Sequence, residues 1–415
     1  MELRPPETGF WRNLRDLPRA LTLSGFIAGF IVVLIGYTGP LLIVLQAGEA
    51  GGLTQAQTTS WLWAVTVGNG LLTMFLSIYY RQPIIAPWPT AGAALLVTSL
   101  ANYTLPQAIG AYLVAALGLV VIGATGIFGT LIARVPRAVV QGLLAGILLR
   151  FGIGIFRVLP QEPLLVTACI VVFFLLKRRR WRAPTLGVLV VGVVIAALSG
   201  DLNISGVNIA LARPIITLPE FMLEAMLSLA LPLCILAVTT QFAPGEAVLR
   251  SAGYRAPVNG IMVFIGLGSI PLAFLGGHGQ SLGALTSALV ASPDVSPDHS
   301  RRYAAAVASG AWYTLFGLFG ATIISFFAGF PAALVAVIAG LSLSGTIASS
   351  LSGAMEQPDT RDAALVAFLC AAGEFSLFGI GAPFWGLVAG VAVYWLMRPL
   401  RRPVVVEAGS PELQK

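Results

Sequence analysis

The apolar stretches of this 415-residue chain hold few ionisable side chains, and two in or just past them, His278 and Glu246, sit beside residues that break helices. Glu246 follows Pro244 and Gly245 in ILAVTTQFAPGEAVLRSAGY, and His278 lies between two glycines in LGGHGQSLGALTSALVAS. A carboxylate inside a membrane-length segment is a functional candidate by default. An imidazole titrates near neutral pH and can take up or pass on a proton. Each also has a structural reading. Glu246 can pair with Arg250 at the cytoplasmic surface, and His278 can bond exposed backbone of an interrupted segment. Just before Glu246, Thr239, Thr240 and Gln241 offer neutral hydrogen-bonding groups at depth. The Gln241 amide can donate to a carboxylate or accept from a protonated acid, or it can hold a neighbouring helix. Tyr37, Thr38 and Pro40 interrupt the first aliphatic run and can line the same cavity. Glu374 is a further acid, in the thirteenth apolar segment, and has no assigned role.

These side chains need elements to hold them, and the most telling is QPIIAPWPTAGAALLVTSL, residues 82–100. Pro83, Pro87 and Pro89 each remove an amide donor and clash with a preceding helical turn. From Ala91 onward the composition is helical. The pattern predicts extended backbone through Trp88 and Pro89, then a half-helix starting near Thr90. In hydrocarbon, non-helical backbone survives only when buried in protein or lining a cavity. A half-helix that begins there points its positive end into that cavity, as in transporters with discontinuous helices. The alternative is a proline-kinked helix with no ligand. The expectation is an anion site around residues 87–92, near the bilayer midplane.

Composition sets the frame. Hydrophobic residues make up 57% of the chain and charged residues 10%, with mean hydropathy +0.89. This is the balance of an all-α polytopic membrane protein. Apolar segments fall near 20–46, 54–79, 83–100, 107–133, 137–157, 162–177, 184–199, 219–243, 257–275, 278–291, 302–328, 331–351, 361–380 and 382–397. Fourteen spans of about 20 residues use roughly 280 residues and leave no room for a sizeable soluble domain. The net charge of +7 comes from arginines and lysines at span ends. Alternate loops carry Arg81, Arg134 with Arg137, Lys177 to Arg180, Arg250 with Arg255, Arg301 with Arg302, and Arg361. By the positive-inside rule these loops are cytoplasmic, as are both termini. The basic excess is thus a topology signal, and nucleic acid is not an expected partner. The first apolar run is span-length with no small-residue cleavage site after it, which predicts an uncleaved first span.

The two halves resemble each other. VPRAVVQGLLAGILL (135–149) parallels FPAALVAVIAGLSL (330–343), and PTAGAALL (89–96) parallels QSLGALTS (280–287). Seven spans is an odd number, so the second half enters from the opposite side. The expected fold is two inverted seven-span repeats, with short extended segments in spans 3 and 10 and a binding site where the repeats meet. Span 10 is the glycine-rich stretch around His278, and a second half-helix is predicted to begin near Gln280 or Ser281, facing the first.

Catalytic constellations are missing. There is no metal-binding spacing, no paired histidines in the spans and no GxSxG elbow. Cys169, Cys234 and Cys370 are scattered and form no framework. The expectation is a protein without cofactor or metal that is not an enzyme.

At APWPTAGAALL (86–96), TQFAPGEAVLRSAGYRAPV (240–258), GGHGQSLGALTSAL (276–289), PDHSRRYAAAVASG (297–310) and FGIGAPFWGLVAG (378–390), the chain resembles the bacterial benzoate/proton symporters of the BenE type. The matches span nearly the whole chain in family order. Within them, Trp88-Pro89-Thr90-Ala91-Gly92 stands where the family reads roughly W-S-T-P-G. Glu246 and Glu374 stand where the family usually has no acid. The family is similar in fold to uracil permeases and sulfate-type anion permeases. The resemblance implies a transport core of residues 20–133 and 219–328, and a gate of residues 137–199 and 331–397. Residues 1–19 and 398–415 are then cytoplasmic segments. It also implies an inner-membrane location, elevator-like motion of core against gate, and a homodimer as a common assembly. The implied cargo is an aromatic carboxylate such as benzoate with a proton. Thr90, Ala91 and Gly92 would present amides to the carboxylate opposite Gln280 and Ser281. Gln241 would orient the substrate, and Tyr37 and Trp88 would flank the ring. His278 is the first proton candidate and Glu246 the second. A nucleobase or inorganic-anion transporter of the same fold, or an anion channel, is the alternative.

Overall fold

The computed structural model describes residues 9–397 apart from 182, 204 and 208. The predicted cytoplasmic tail, 398–415, lies outside the described residues. The chain is mostly helical, and every predicted apolar segment contains a helix. In chain order these are α1 (Phe10–Ala20), α2 (Leu23–Thr38), α3 (Pro40–Ala50), α4 (Gln55–Tyr80), α5 (Thr90–Ser99), α6 (Leu105–Thr125), α7 (Phe128–Arg134), α8 (Arg137–Val158), α9 (Pro163–Arg178) and α10 (Pro184–Ser199). The second half holds α11 (Leu223–Ser251), then α12 (Val258–Ala273), α13 (Ala284–Ala291), α14 (Tyr303–Leu318), α15 (Gly320–Ala328), α16 (Ala332–Met355), α17 (Arg361–Ala372) and α18 (Ala382–Leu396). Among the described residues, six helices are long and apolar enough to cross a membrane alone, counting α2 and α3 together, or seven if the bent pair α14–α15 is one span. The chain is therefore a multi-pass membrane protein.

The first interrupted segment follows the predicted plan. Residues 83–89 are extended, and α5 begins at Thr90. Residues 277–283 are likewise non-helical. The two stretches run antiparallel and bond to each other. Ser281 N donates to Pro87 O at 2.8 Å and Gly283 N to Ile85 O at 3.0 Å. Flanking helices pair with more of this backbone, as a dry interior favours. Ala86 N donates to Thr73 Oγ1 at 2.9 Å, and Ser77 Oγ donates to Ile84 O at 2.8 Å.

Three expectations need correction. The second half-helix starts at Ala284, not at Gln280 or Ser281. Gly279 takes a φ of 104°, open essentially to glycine alone, and the amides of Ser281 and Gly283 are committed to the crossing. Helix α11 does not break at Pro244-Gly245 but runs on to Ser251. Its two internal prolines, Pro232 and Pro244, each follow a π-helical turn, at Met226–Ala230 and Val238–Phe242. The wider turn makes room where a proline ring would strike the carbonyl four residues back. Finally, the segment 361–380 is not helical throughout. After α17 a short hairpin pairs β1 (Ser376–Leu377) with β2 (Ile380–Gly381). Tyr103 Oη donates to Gly379 O at 2.5 Å, and Gly381 N donates to the buried Ser228 Oγ at 3.0 Å. The hairpin is thereby tied to the turn that follows α5 and to α11.

Candidate functional site

Among the described helices α1–α18, only α2, α4 and α6 start with a side-chain cap. Where α4 and α6 begin, complete capping boxes occupy the first amides: Thr54 with Gln57, and Thr104 with Gln107. Where α5 and α13 begin, the N-cap residues are Pro89 and Gly283, and neither supplies a side-chain acceptor. The first amides of each half-helix have no partner within the helix, and helix N-termini carry partial positive charge. Both uncapped ends face one cavity.

That cavity has a volume of about 750 Å³. Pro87, Trp88, Thr90 and Ala91 line it from the first interrupted segment, and Gly283, Ala284, Leu285 and Thr286 from the second. Thr239, Thr240 and Gln241 of α11 form a third side. The Thr239 and Thr240 hydroxyls donate back to Ile235 O and Leu236 O, both at 2.6 Å, which leaves their lone pairs toward other donors. The opposite wall is α8 and α16, with Leu144, Leu148 and the hydroxyl-rich run Ser342, Ser344, Thr346, Ser349 and Ser350. Arg137 and Lys177, from predicted cytoplasmic ends, also line the cavity, and no lining residue is Asp, Glu or His. A cavity with apolar and hydroxyl-bearing walls, two cations and two helix N-termini suits an anion with an apolar body.

The structure brings together some of the sequence candidates and separates others. Trp88, Thr90, Ala91 and Gln241 line the cavity. The Trp88 ring stands edge-on to Tyr313, with centroids 5.9 Å apart. Gly92 lies just behind the wall, where an added Cβ would come within 2.9 Å of Leu233 and 3.1 Å of Pro89. Tyr37 packs on Phe316 and Tyr313, while its neighbours Ile35 and Gly36 touch the cavity in its place.

Gln280 and Ser281 do not line the cavity. Gln280 Nε2 donates to Val65 O at 2.9 Å and its backbone amide to Ser269 Oγ at 3.1 Å. Ser281 Oγ joins its own amide in donating to Pro87 O, at 2.9 Å. Both residues hold the crossing together. His278 is also behind the wall, 3% exposed. Its Nδ1 accepts a hydrogen bond from Trp61 Nε1 at 3.0 Å. An indole N–H can only donate, so Nδ1 bears the lone pair and the imidazole proton is on Nε2. Glu246 pairs with Arg250 at 2.6 Å, and its neighbours Pro244 and Ala247 line the cavity.

Sequence reasoning missed Thr286 and the amides of α13, because the second half-helix was placed too early. It also passed over the α16 hydroxyls. The run LSLSGTIASS in an otherwise apolar helix was the available signal, since lone polar groups at depth cluster on functional surfaces.

Comparison with known proteins agrees with this picture. The profile of the family described as benzoate membrane transport protein matches residues 19–396. The chain is 36% identical over 384 residues to the benzoate membrane transport protein of Acinetobacter baylyi, covering 92% of this chain and 98% of that one. It is 38% identical over 368 residues to the inner membrane protein YdcO of Escherichia coli, covering 89% and 94%. In fold it is similar to the transmembrane domain of the cyanobacterial bicarbonate transporter BicA, with TM-score 0.55 and 16% identity over 93% of this chain and 97% of that one. It is also similar to SLC26A9, with TM-score 0.63 and 14% identity over 92% and 67%. The protein is thus a membrane transporter and not an enzyme, and the chain belongs to the benzoate membrane transport protein family.

Proposed function

We propose that this protein is a secondary active transporter that takes up an aromatic carboxylate, benzoate or a close relative, together with a proton. The observation that carries the reading is the pair of uncapped half-helix ends that line the cavity, at Thr90 and Ala91 and at Gly283–Thr286. The carboxylate accepts from the amides of Thr90 and Ala91 on one side and Ala284 and Leu285 on the other. Gln241 orients it, and the ring lies against Trp88 and the aliphatic wall of α8.

A carboxylate is charged at neutral pH, and an inside-negative potential opposes its entry by about 2.3 kcal/mol per charge per 100 mV. One accompanying proton cancels that cost. We assign the proton to Glu246, which adjoins the cavity, in preference to His278, whose Nδ1 lone pair is engaged by Trp61. The reading places the chain in the membrane as fourteen crossings in two inverted repeats, both termini cytoplasmic. The core moves against the gate in an elevator-like step. The related name from Acinetobacter baylyi supports the substrate class.

The test is uptake of labelled benzoate into proteoliposomes with and without an imposed proton gradient. Saturable uptake that rises with external acidity is expected, and uptake indifferent to the gradient would refute proton coupling. The fold shared with a bicarbonate transporter favours an inorganic anion as the second reading. Competition of benzoate uptake by bicarbonate, sulfate, uracil and substituted benzoates separates the two.

A further inference from the structure

Helix α1 has three faces at helical spacing. Phe10, Asn13, Leu17 and Ala20 turn inward, and Asn13 is fully buried. Asn13 Nδ2 donates to Ile78 O at 2.8 Å, and its backbone oxygen accepts from Tyr303 Oη at 2.8 Å. Arg81, at the end of α4, donates to Asn13 Oδ1 at 2.9 Å and pairs with Asp16 at 3.0 Å. The helix is therefore fixed to the residues that lead directly into the first interrupted segment. About 100° around the helix, Trp11 and Leu14 form an apolar outward stripe, 73% and 37% exposed. A further 100° on, Arg12, Arg15 and Arg19 follow at i, i+3 and i+7 and are exposed. Among the described residues none of these three guanidinium groups makes an ion pair, and the one acid on the helix, Asp16, is held by Arg81.

An apolar stripe beside a cationic stripe, on a helix just before the first span, is the geometry of a helix lying in the membrane interface. Cations there attract the anionic headgroups of the cytoplasmic leaflet. We propose that α1 is a docking surface for anionic phospholipid, with Trp11 and Leu14 in the acyl boundary and Arg12, Arg15 and Arg19 on the headgroup phosphates. Through Asn13 and Arg81, lipid held by α1 steadies the end of α4 where the crossing begins. The inference goes beyond the transport reading and does not depend on the substrate.

The experiment uses the full chain and a variant combining R12Q, R15Q and R19Q, each purified into nanodiscs of phosphatidylcholine with or without phosphatidylglycerol. Native mass spectrometry is expected to show the parent retaining phosphatidylglycerol severalfold over phosphatidylcholine, with that preference lost in the variant. Phosphatidylglycerol is expected to raise the unfolding temperature of the parent and not of the variant, with the two equal in phosphatidylcholine. Inorganic phosphate is expected to leave the preference in place, because the apolar stripe needs a bilayer. Equal retention by parent and variant, or displacement of the lipid by phosphate alone, would overturn the proposal.

Discussion

Ser281 gives both of its donors to a single acceptor: its backbone amide and its hydroxyl reach Pro87 O at 2.8 and 2.9 Å. This shared carbonyl ties the two interrupted segments together at their crossing, so the side chain that looked like a ligand group in the sequence works as a staple. Ser281→Ala removes one of two bonds and leaves the other. The expected cost is about 1 kcal/mol, seen as a small fall in unfolding temperature with saturable uptake retained.

Thr90 and Ala284 occupy the first helical positions of α5 and α13. Proline is tolerated there, because its missing amide has no helical partner. The preceding residues are already extended, Pro89 at ψ 112° and Gly283 at ψ 127°, as a following proline requires. Thr90→Pro and Ala284→Pro therefore delete one amide each while keeping the half-helix. If those amides grip the carboxylate, each variant should weaken binding by about 10- to 100-fold, the range for a hydrogen bond to a charged group. Thr90→Ala keeps the amide and should bind nearly as well as the parent. Isothermal titration with benzoate distinguishes the three.

His278 accepts from Trp61 and packs edge-on to it, with ring centroids 5.6 Å apart. An asparagine at 278 can offer its side-chain oxygen to the same indole, and an alanine cannot. His278→Asn should therefore retain more gradient-driven uptake and a higher unfolding temperature than His278→Ala. If His278 itself carried the proton, both variants would lose gradient dependence alike.

Gly245 of α11 faces the second interrupted segment so closely that an added Cβ would lie 2.7 Å from Leu282 Cγ and 2.9 Å from Leu282 O. The backbone carbonyl cannot move without disturbing the crossing. Gly245→Ala should cost about 1–3 kcal/mol through overpacking, visible as lower unfolding temperature together with reduced uptake. Gly154, where an added Cβ meets nothing within 4 Å, is the control position.

Arg137 and Lys177 stand in a cavity wall that carries no acid. Replacing both by glutamine should slow substrate binding several-fold at low ionic strength and much less at high salt, since the cations act by long-range attraction. Stopped-flow binding to solubilised protein across a salt series measures this directly.

The interrupted segments were legible because proline and glycine act locally. Three prolines within 83–89 force extended backbone whatever surrounds them, and α5 begins where that constraint ends. The second segment was harder to read. Glycine permits many conformations and dictates none, so only the bonds to Pro87 and Ile85 reveal how far the extended stretch runs. The continuity of α11 through Pro244 was illegible for a related reason, since a π-turn leaves no mark in composition. The cavity wall from α8 and α16 depends on contacts between residues some 200 positions apart. Spacing within one helix marks its polar groups but cannot say which neighbour they face.

The hairpin after α17 has a final consequence. Its stitches to Tyr103 and Ser228 are neutral hydrogen bonds, worth about 1 kcal/mol apiece. In the proposed topology they lie at the periplasmic end, away from Arg137 and Lys177 at the predicted cytoplasmic end of the cavity. In the proposed elevator-like step these bonds break when the gate moves against the core, so the hairpin adds about 2 kcal/mol toward the arrangement that holds them.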